Sequence, residues 1–521
     1  MRFTRNHTLF ILSLLGISAL YFCLRLSNIL SLPLFTDEAI YVRWAQIAAQ
    51  DANWRFISLT DGKQPMYVWI AALLLNFFRD PLLAGRMVSV LAGYGVTIGL
   101  FFLGSEIFRD KNKDSAYPIF SFTKKTVTIG IIASLFYVLY PFGLVYDRMA
   151  LYDSLVGMFA VWSLYLLVLL VRTKRLDIAL ISGLVMGGGL LTKSNAFFSM
   201  GSMPFLLLLF DRGKKDFKKS LVWFIVLGGV AVVMAMAIYT ILRLSPFYHI
   251  IDEKTALFAY PLSEWIKHPF TYFWSNLRAL LDWFTIYMKL PVLALVVLSL
   301  FIHRDHFFEK ILLVFWFLFP FIYLAFFGNT IYPRFILFMT LPLIPLASYS
   351  IYQLLEKHKS VLVKVLIFVF AFGLYLHADY AIIYNFSEAP IPRADLGQYI
   401  NNWSAGNGVR QSVEFFKKEA KDKNIYIMTE GTFGLMPFGL EMYLVDHPNI
   451  KIQSFWPIGE PPPAEVLARA KVMPTYAIFY QPCPSCGQQG GNTPPSWKVK
   501  KIATYKQGKS KDYYSIYQIL P

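Results

Sequence analysis

Long apolar runs constrain this chain more than any other feature. Crossing a bilayer takes roughly 20 apolar residues, or about 17–25 when tilt is allowed. About eleven such runs follow one another, near 9–30, 82–104, 126–144, 154–171, 177–192, 196–210, 221–242, 286–302, 311–327, 334–350 and 361–378, the fifth and sixth being short. The first is too long and too poorly flanked for a cleaved signal peptide, and further runs follow it, so it reads as a retained span. Composition agrees: 56% of the residues are hydrophobic and 16% charged, with mean hydropathy +0.49, against about 45–50% and about 25% in soluble domains. A soluble enzyme, a disordered chain and a disulfide scaffold are excluded. The expected fold class is an α-helical polytopic membrane protein.

The side on which each loop lies follows from its lysines and arginines. Arg2 and Arg5 precede the first run, and Arg109, Lys111, Lys113, Lys124 and Lys125 follow the second. Arg172, Lys174 and Arg175 follow the fourth, Arg212, Lys214, Lys215, Lys218 and Lys219 the sixth, and Lys357 and Lys359 the tenth. A cytoplasmic N-terminus places every cluster on one side, as expected of a multi-pass protein of the cell membrane. The net charge of +17 then suits an anionic bilayer surface and anionic substrates, and nucleic acid is not an expected partner.

The loop between the first two runs is expected outside, with two helices lying at the membrane surface. One covers Glu38–Gln50, with Ile40, Trp44 and Ile47 on one face and Arg43, Gln46 and Gln50 on the other; the second covers Pro65–Phe78. An odd number of spans sends the C-terminus outside. From about residue 379 the composition turns polar. Asn424–Thr429, Lys451–Phe455 and Thr475–Tyr480 read as strands, Val409–Lys421 as an amphipathic helix, and Pro461–Pro463 and Gln488–Pro495 as loops. The expected division is a transmembrane domain at 1–378 and a small extracytoplasmic α/β domain at 379–521, a normal domain size.

Several ionisable residues fall where a membrane protein has no packing reason to keep them. Asp37 and Glu38 open the first surface helix after Thr36. Acids in a first turn suit the helix dipole, yet a carboxylate pinned at the membrane surface is also a ready general base. Lys63, in the turn Asp61-Gly62-Lys63-Gln64-Pro65, either snorkels to lipid phosphates or binds a substrate phosphate. Arg148 and Asp153 bound the short connection between the third and fourth runs. Arg86 and Lys193 lie in or beside apolar runs, where an unpaired charge costs about 2.5–3.5 kcal/mol. Both are functional candidates, with a structural pair of Arg86 and a nearby acid as the alternative. Arg334 stands at the outer mouth of the tenth run. The stretch from Arg243 to about Lys289 mixes aromatics with charges, as an interface-hugging lid would.

Other motifs carry less. The run from Gly187 to Ser194 looks like a phosphate-binding loop, but Thr192 occupies a required glycine position and no strand precedes it. His303-Arg304-Asp305-His306 reads as a solvated loop. Cys483 and Cys486 give two ligands where structural zinc takes four, so a local disulfide is the better reading. Cys23 reads as a buried apolar residue.

Five motifs in order resemble a known family. They are the Asp37-Glu38 pair, Lys63 and Pro65 before a surface helix, Arg148 and Asp153, Thr192-Lys193, and Pro333-Arg334-Phe335 before a proline-rich span. Together, over residues 1–380, they resemble the C-type glycosyltransferases (GT-C fold), specifically the protein mannosyltransferase and lipid A aminoarabinose transferase group, family 39 and its bacterial relatives. Phe335 stands where that group often has tyrosine. The resemblance implies transfer of a sugar from a polyprenyl-phosphate donor, with inversion, to a lipid, glycan or protein acceptor outside the cytoplasm. It implies Asp37 as the main acid-base residue with Glu38 beside it, Lys63 near the donor phosphate, and Asp153 and Arg148 in the second external connection. The chemistry suits these residue types. A lipid phosphate leaving group needs cations such as Lys63, Lys193 and Arg334 more than it needs an acid, while the acceptor hydroxyl needs a carboxylate. The resemblance assigns no cofactor, and a divalent metal is compatible with such chemistry. A transporter or lipid-linked sugar flippase is the competing class, but transporters keep their charges near the midplane in paired repeats. A binding scaffold would leave Lys193 and Arg86 without a purpose.

Overall fold

A computed structural model describes residues 5–109, 122–211, 213, 216–302, 305–459, 461–481 and 497–521. Cys483, Cys486, Lys111, Lys113, Arg212, Lys214, Lys215, the pair 303–304 and the proline-rich stretch 488–495 lie outside the described residues. Two compact units divide the chain. One comprises Met1–Ser27, Phe56–Tyr67 and Val88–Pro392; the other comprises Asn28–Arg55, Val68–Met87 and Arg393–Pro521.

The first unit is helical. Six described helices are long and apolar enough to cross a membrane: Pro81–Ile107, whose first turns belong to the second unit, Asp153–Thr173, Phe217–Leu244, Phe307–Phe327, Pro333–Lys357 and Val361–Tyr384. Two bent pairs, Lys124–Val138 with Pro141–Asp147 and Phe273–Met288 with Leu290–Phe301, raise the number to eight if each is one span. Leu12–Leu26, Leu176–Leu190 and Ser194–Leu209 are apolar but shorter. Length and composition therefore give six to eight crossings, against the about eleven expected from roughly 20-residue runs. All of the expected runs contain helix; what separates the two counts is bending and shortness. The glycines near Thr192 serve packing. A Cβ on Gly183 or Gly187 would come within 2.6 Å of Met234 or Ile238 on the helix Phe217–Tyr239. Their four-residue spacing is the small-residue face that lets two helices approach closely. Gly188 meets Phe159 in the same way, at 2.6 Å.

The second unit is built on a sheet. Strands β1 (Leu34–Phe35) and β2 (Ala405–Gly406) form a short antiparallel ladder. Strands β3 (Ile425–Glu430), β4 (Ile450–Phe455), β5 (Thr475–Phe479), β6 (Val499–Lys506) and β7 (Tyr513–Ile519) form one sheet in the order β4-β3-β5-β7-β6. The first three are parallel and the rest antiparallel. Every residue of β3 is buried, as a central parallel strand demands. Tyr426, Met428, Ala477, Phe479, Tyr517 and Ile519 of the sheet pack with Val466 and Trp497. The sequence anticipated β3, β4, β5 and the helix Val409–Glu419 to within about two residues, but not β6 or β7.

The first helix of the loop after the first run belongs to this unit, runs over Thr36–Gln50 and is largely buried. Its polar residues are covered by the helix Leu435–Leu444: Arg43 Nε meets Glu441 Oε2 at 3.0 Å, and Gln46 Nε2 donates to the Met442 carbonyl at 2.8 Å. The second helix of the loop is Met66–Leu74.

Candidate active site

In the helical unit, four separate segments meet. Gly62 takes a left-handed φ of +64° to turn the chain before Lys63, and a Cβ there would strike the Ile250 carbonyl at 2.6 Å. The turn is then tied to the loop carrying Lys193: Gln64 Nε2 donates to Ser194 Oγ at 2.8 Å, and the Met66 amide to the Leu191 carbonyl at 3.0 Å. Tyr67 stacks on Tyr152 with ring centroids 4.9 Å apart, which joins the turn to the segment holding Asp153. Lys193 Nζ donates to Asp153 Oδ1 at 2.8 Å and lies 4.6 Å from the centre of the Phe335 ring, next to Arg334. The Arg334 guanidinium sits 5.2 Å from the Tyr332 ring. Lys63, Asp153, Lys193 and Arg334 thus come from segments held against one another.

Asp61 adds the external stretch. Its carboxylate takes Lys254 at 2.6 Å and Lys63 at 3.7 Å, each on its own oxygen. Lys254 lies on the helix Ile250–Phe258, so part of the expected lid touches the Lys63 turn. Arg148 is buried, and its guanidinium donates to the carbonyls of Ser27 at 2.7 Å and Ile382 at 3.2 Å. These bonds tie three chain segments together.

Sequence reasoning passed over the partner that fixes this corner. Arg25 and Asp147 form a fully buried ion pair at 3.2 Å. Tyr137 and Ser154 hydroxyls also donate to Asp147, at 3.0 and 2.7 Å. The signal was present in Arg25, a charge inside the first apolar run. A buried charge of that kind needs a partner, and Asp147 sits immediately before Arg148.

In the sheet unit, Arg86 grips Glu38 with Nε and Nη2, both at 2.8 Å, and neither side chain is exposed. Arg86 also donates to the Leu32 and Pro33 carbonyls at 3.2 Å, and Glu38 accepts the Phe35 amide at 3.0 Å. The structural pair weighed for Arg86 is therefore present, and Glu38 is its acid. Asp37, one residue earlier, is half-buried. At the end of β3, Glu430 accepts the amides of Tyr480 and Gln481 at 2.8 and 3.0 Å. Burial pushes its carboxyl above the usual range, and those amides only partly offset it. Among the described residues no group of three His, Cys, Asp or Glu could hold a metal ion.

One unit is thus a bundle with membrane-length helices whose loops gather cations, and the other a small α/β sheet unit. ArnT from Cupriavidus metallidurans shares the fold. Its apo structure matches with a TM-score of 0.58 at 12% identity, covering 99% of this chain and 98% of that one. Its structure bound to undecaprenyl phosphate matches with a TM-score of 0.57 at 13% identity, covering 98% and 97%. More particularly, residues 62–239 match the model of the dolichyl-phosphate-mannose-protein mannosyltransferase family. That segment contains Lys63, Arg86, Arg148, Asp153 and Lys193. No curated protein matches the chain.

Proposed function

We propose that this protein is a membrane glycosyltransferase that moves a sugar from a polyprenyl-phosphate donor to an envelope lipid, glycan or protein on the external face, inverting the anomeric centre. The observation that carries the reading is the meeting of the Lys63, Lys193 and Arg334 segments in one unit. Three cations from three loops suit a phosphate whose charge grows as the sugar leaves. Asp153 holds Lys193 in place, and Arg148 holds the connection on which Asp153 sits. Asp37 takes the proton of the acceptor hydroxyl. Glu38, locked by Arg86, positions the helix that carries Asp37. That ArnT binds undecaprenyl phosphate supports the donor class. Twelve to thirteen per cent identity leaves the sugar to experiment.

The deciding experiment is a transfer assay with purified protein in nanodiscs and a panel of polyprenyl-phosphate sugars. Transfer or slow donor hydrolysis with one of them is expected. Uptake or translocation of the donor without bond cleavage would favour the flippase. The proposed orientation has a cytoplasmic N-terminus and an external C-terminal sheet unit. Reporter fusions after Lys125 and after Gly408 should then report opposite sides.

A further inference from the structure

We infer that the sheet unit carries an acceptor platform beside Asp37, formed by Trp403 and Phe433, and that its occupant is a sugar ring. This rests on Asp37 acting as the base, as proposed above.

The β1–β2 ladder pairs Leu34 with Gly406 and Phe35 with Ala405. It continues one step: the amide and hydroxyl of Thr36 both donate to the Ser404 carbonyl, at 3.1 and 3.0 Å. There the chain turns into the helix Thr36–Gln50, so Asp37 and Trp403 are the immediate chain neighbours of the bonded pair Thr36 and Ser404. On another side, Gly434 approaches so closely that a Cβ would lie 3.4 Å from Thr36 Cγ2, and its φ of +118° requires glycine. That brings Phe433 to the start of the Asp37 helix, with its ring 6.1 Å from the Trp44 ring. Both aromatics are exposed, Trp403 at 41% and Phe433 at 48%.

The sheet explains why these loops gather here. The chain leaves β3 toward β4 on one side, whereas β5 leads on to β7 and β6 on the other. The crevice outside the carboxyl ends of such strands, where the order reverses, is where open α/β sheets bind ligands. Residues 431–434 leave β3 at that edge, and Tyr480-Gln481 leave β5. Glu430 joins the two through its bonds to the Tyr480 and Gln481 amides. The Tyr480 ring lies 6.3 Å from Trp403.

The surface chemistry selects the occupant. A pyranose has a C–H face that stacks on an aromatic ring and a hydroxyl edge that needs polar partners. The two aromatics here alternate with Asn402, Thr432 and Asp37, all at least partly exposed. A lipid tail would need a continuous apolar strip, which these polar residues interrupt. A sugar hydroxyl held on this platform would be presented to the carboxylate.

The test uses the full chain in nanodiscs and saturation-transfer NMR with methyl glycosides of glucose, mannose, galactose and N-acetylglucosamine. A serine- and threonine-containing peptide is the second probe, and undecaprenyl phosphate the third. At least one glycoside should bind. Trp403→Ala and Phe433→Ala should each weaken it on the order of tenfold, the scale of one aromatic contact, and leave undecaprenyl phosphate binding unchanged. Trp403→Tyr should retain most of the affinity, and decides the matter if Trp403→Ala fails to fold. Absence of glycoside binding, binding indifferent to these variants, or peptide binding that alone responds to them would overturn the platform. Asp37→Asn should keep glycoside binding while losing transfer. If that variant transfers normally, the catalytic assignment fails, whatever the platform binds.

Discussion

Arg86 holds Glu38 through two parallel hydrogen bonds of 2.8 Å, with both side chains wholly buried. An arginine fork on a carboxylate is the geometry of strong, oriented pairing. Here it sets the start of the helix Thr36–Gln50, because Glu38 also accepts the Phe35 amide that precedes it. The acid at position 38 is thereby bound into structure, which leaves Asp37 as the member of the pair proposed as the base.

Removing one partner of that pair leaves a buried charge alone. Glu38→Gln and Arg86→Met should each destabilise the protein by about 3–5 kcal/mol, read as a lowered thermal unfolding temperature in detergent. The double variant should recover a large part of the loss, since it buries neither charge unpaired. A double variant no better than the worse single one would show that the pair does more than neutralise itself.

Asp37→Asn should behave differently. It should fold as the wild type does and transfer sugar at least about a hundredfold more slowly, the usual scale of a lost general base. Rates and unfolding curves measured on the same preparation separate the two effects. Near wild-type transfer in Asp37→Asn, with Asp153→Asn inactive, would move the base to Asp153.

Lys63 tests the donor side. Lys63→Ala should weaken binding of a polyprenyl-phosphate donor strongly and leave acceptor binding nearly unchanged. Lys63→Arg should restore only part, because a planar fork does not replace a compact ammonium held by Asp61. Titration of both substrates against each variant measures this. Lost acceptor affinity with intact donor affinity would assign the turn to the other substrate.

Glu430 predicts a pH dependence. Its carboxyl binds a proton more tightly folded than unfolded, because burial raises its pKa. Stability from this group is therefore greatest below the ordinary glutamate value of about 4.3 and declines as pH rises through the raised folded value. Glu430→Gln keeps an oxygen for the Tyr480 and Gln481 amides and removes the charge. It should unfold at a higher temperature than wild type at pH 7, with a flatter pH profile. A variant less stable than wild type at pH 7 would mean that the carboxylate charge favours the fold.

Much of the fold was legible because solvent preference is local. Each apolar run contains helix, and β3, β4 and β5 stand where short apolar runs bounded by turn residues put them. β6 and β7 were missed for a physical reason. β6 is an edge strand carrying Lys500, Lys501 and Lys506, the charges that protect an edge from further pairing and that also disguise it as loop. The span count was less legible, because bends such as the 96° break at Lys289, between Phe273–Met288 and Leu290–Phe301, are set by packing and do not show in hydropathy.

By itself the sequence determined which residues seek the bilayer, where charges that need a partner lie, and that a carboxylate opens the helix Thr36–Gln50. Hydropathy and charge belong to single residues and survive without any fold. Only the tertiary structure decided the partners. Glu38 meets Arg86 across 48 positions and Lys193 meets Asp153 across 40. Thr36 bonds to Ser404 across 368. No local pattern encodes such pairings, because a buried charge specifies that it must be neutralised but not by which residue. That choice follows from which segments the packed helices and the sheet bring within hydrogen-bonding reach.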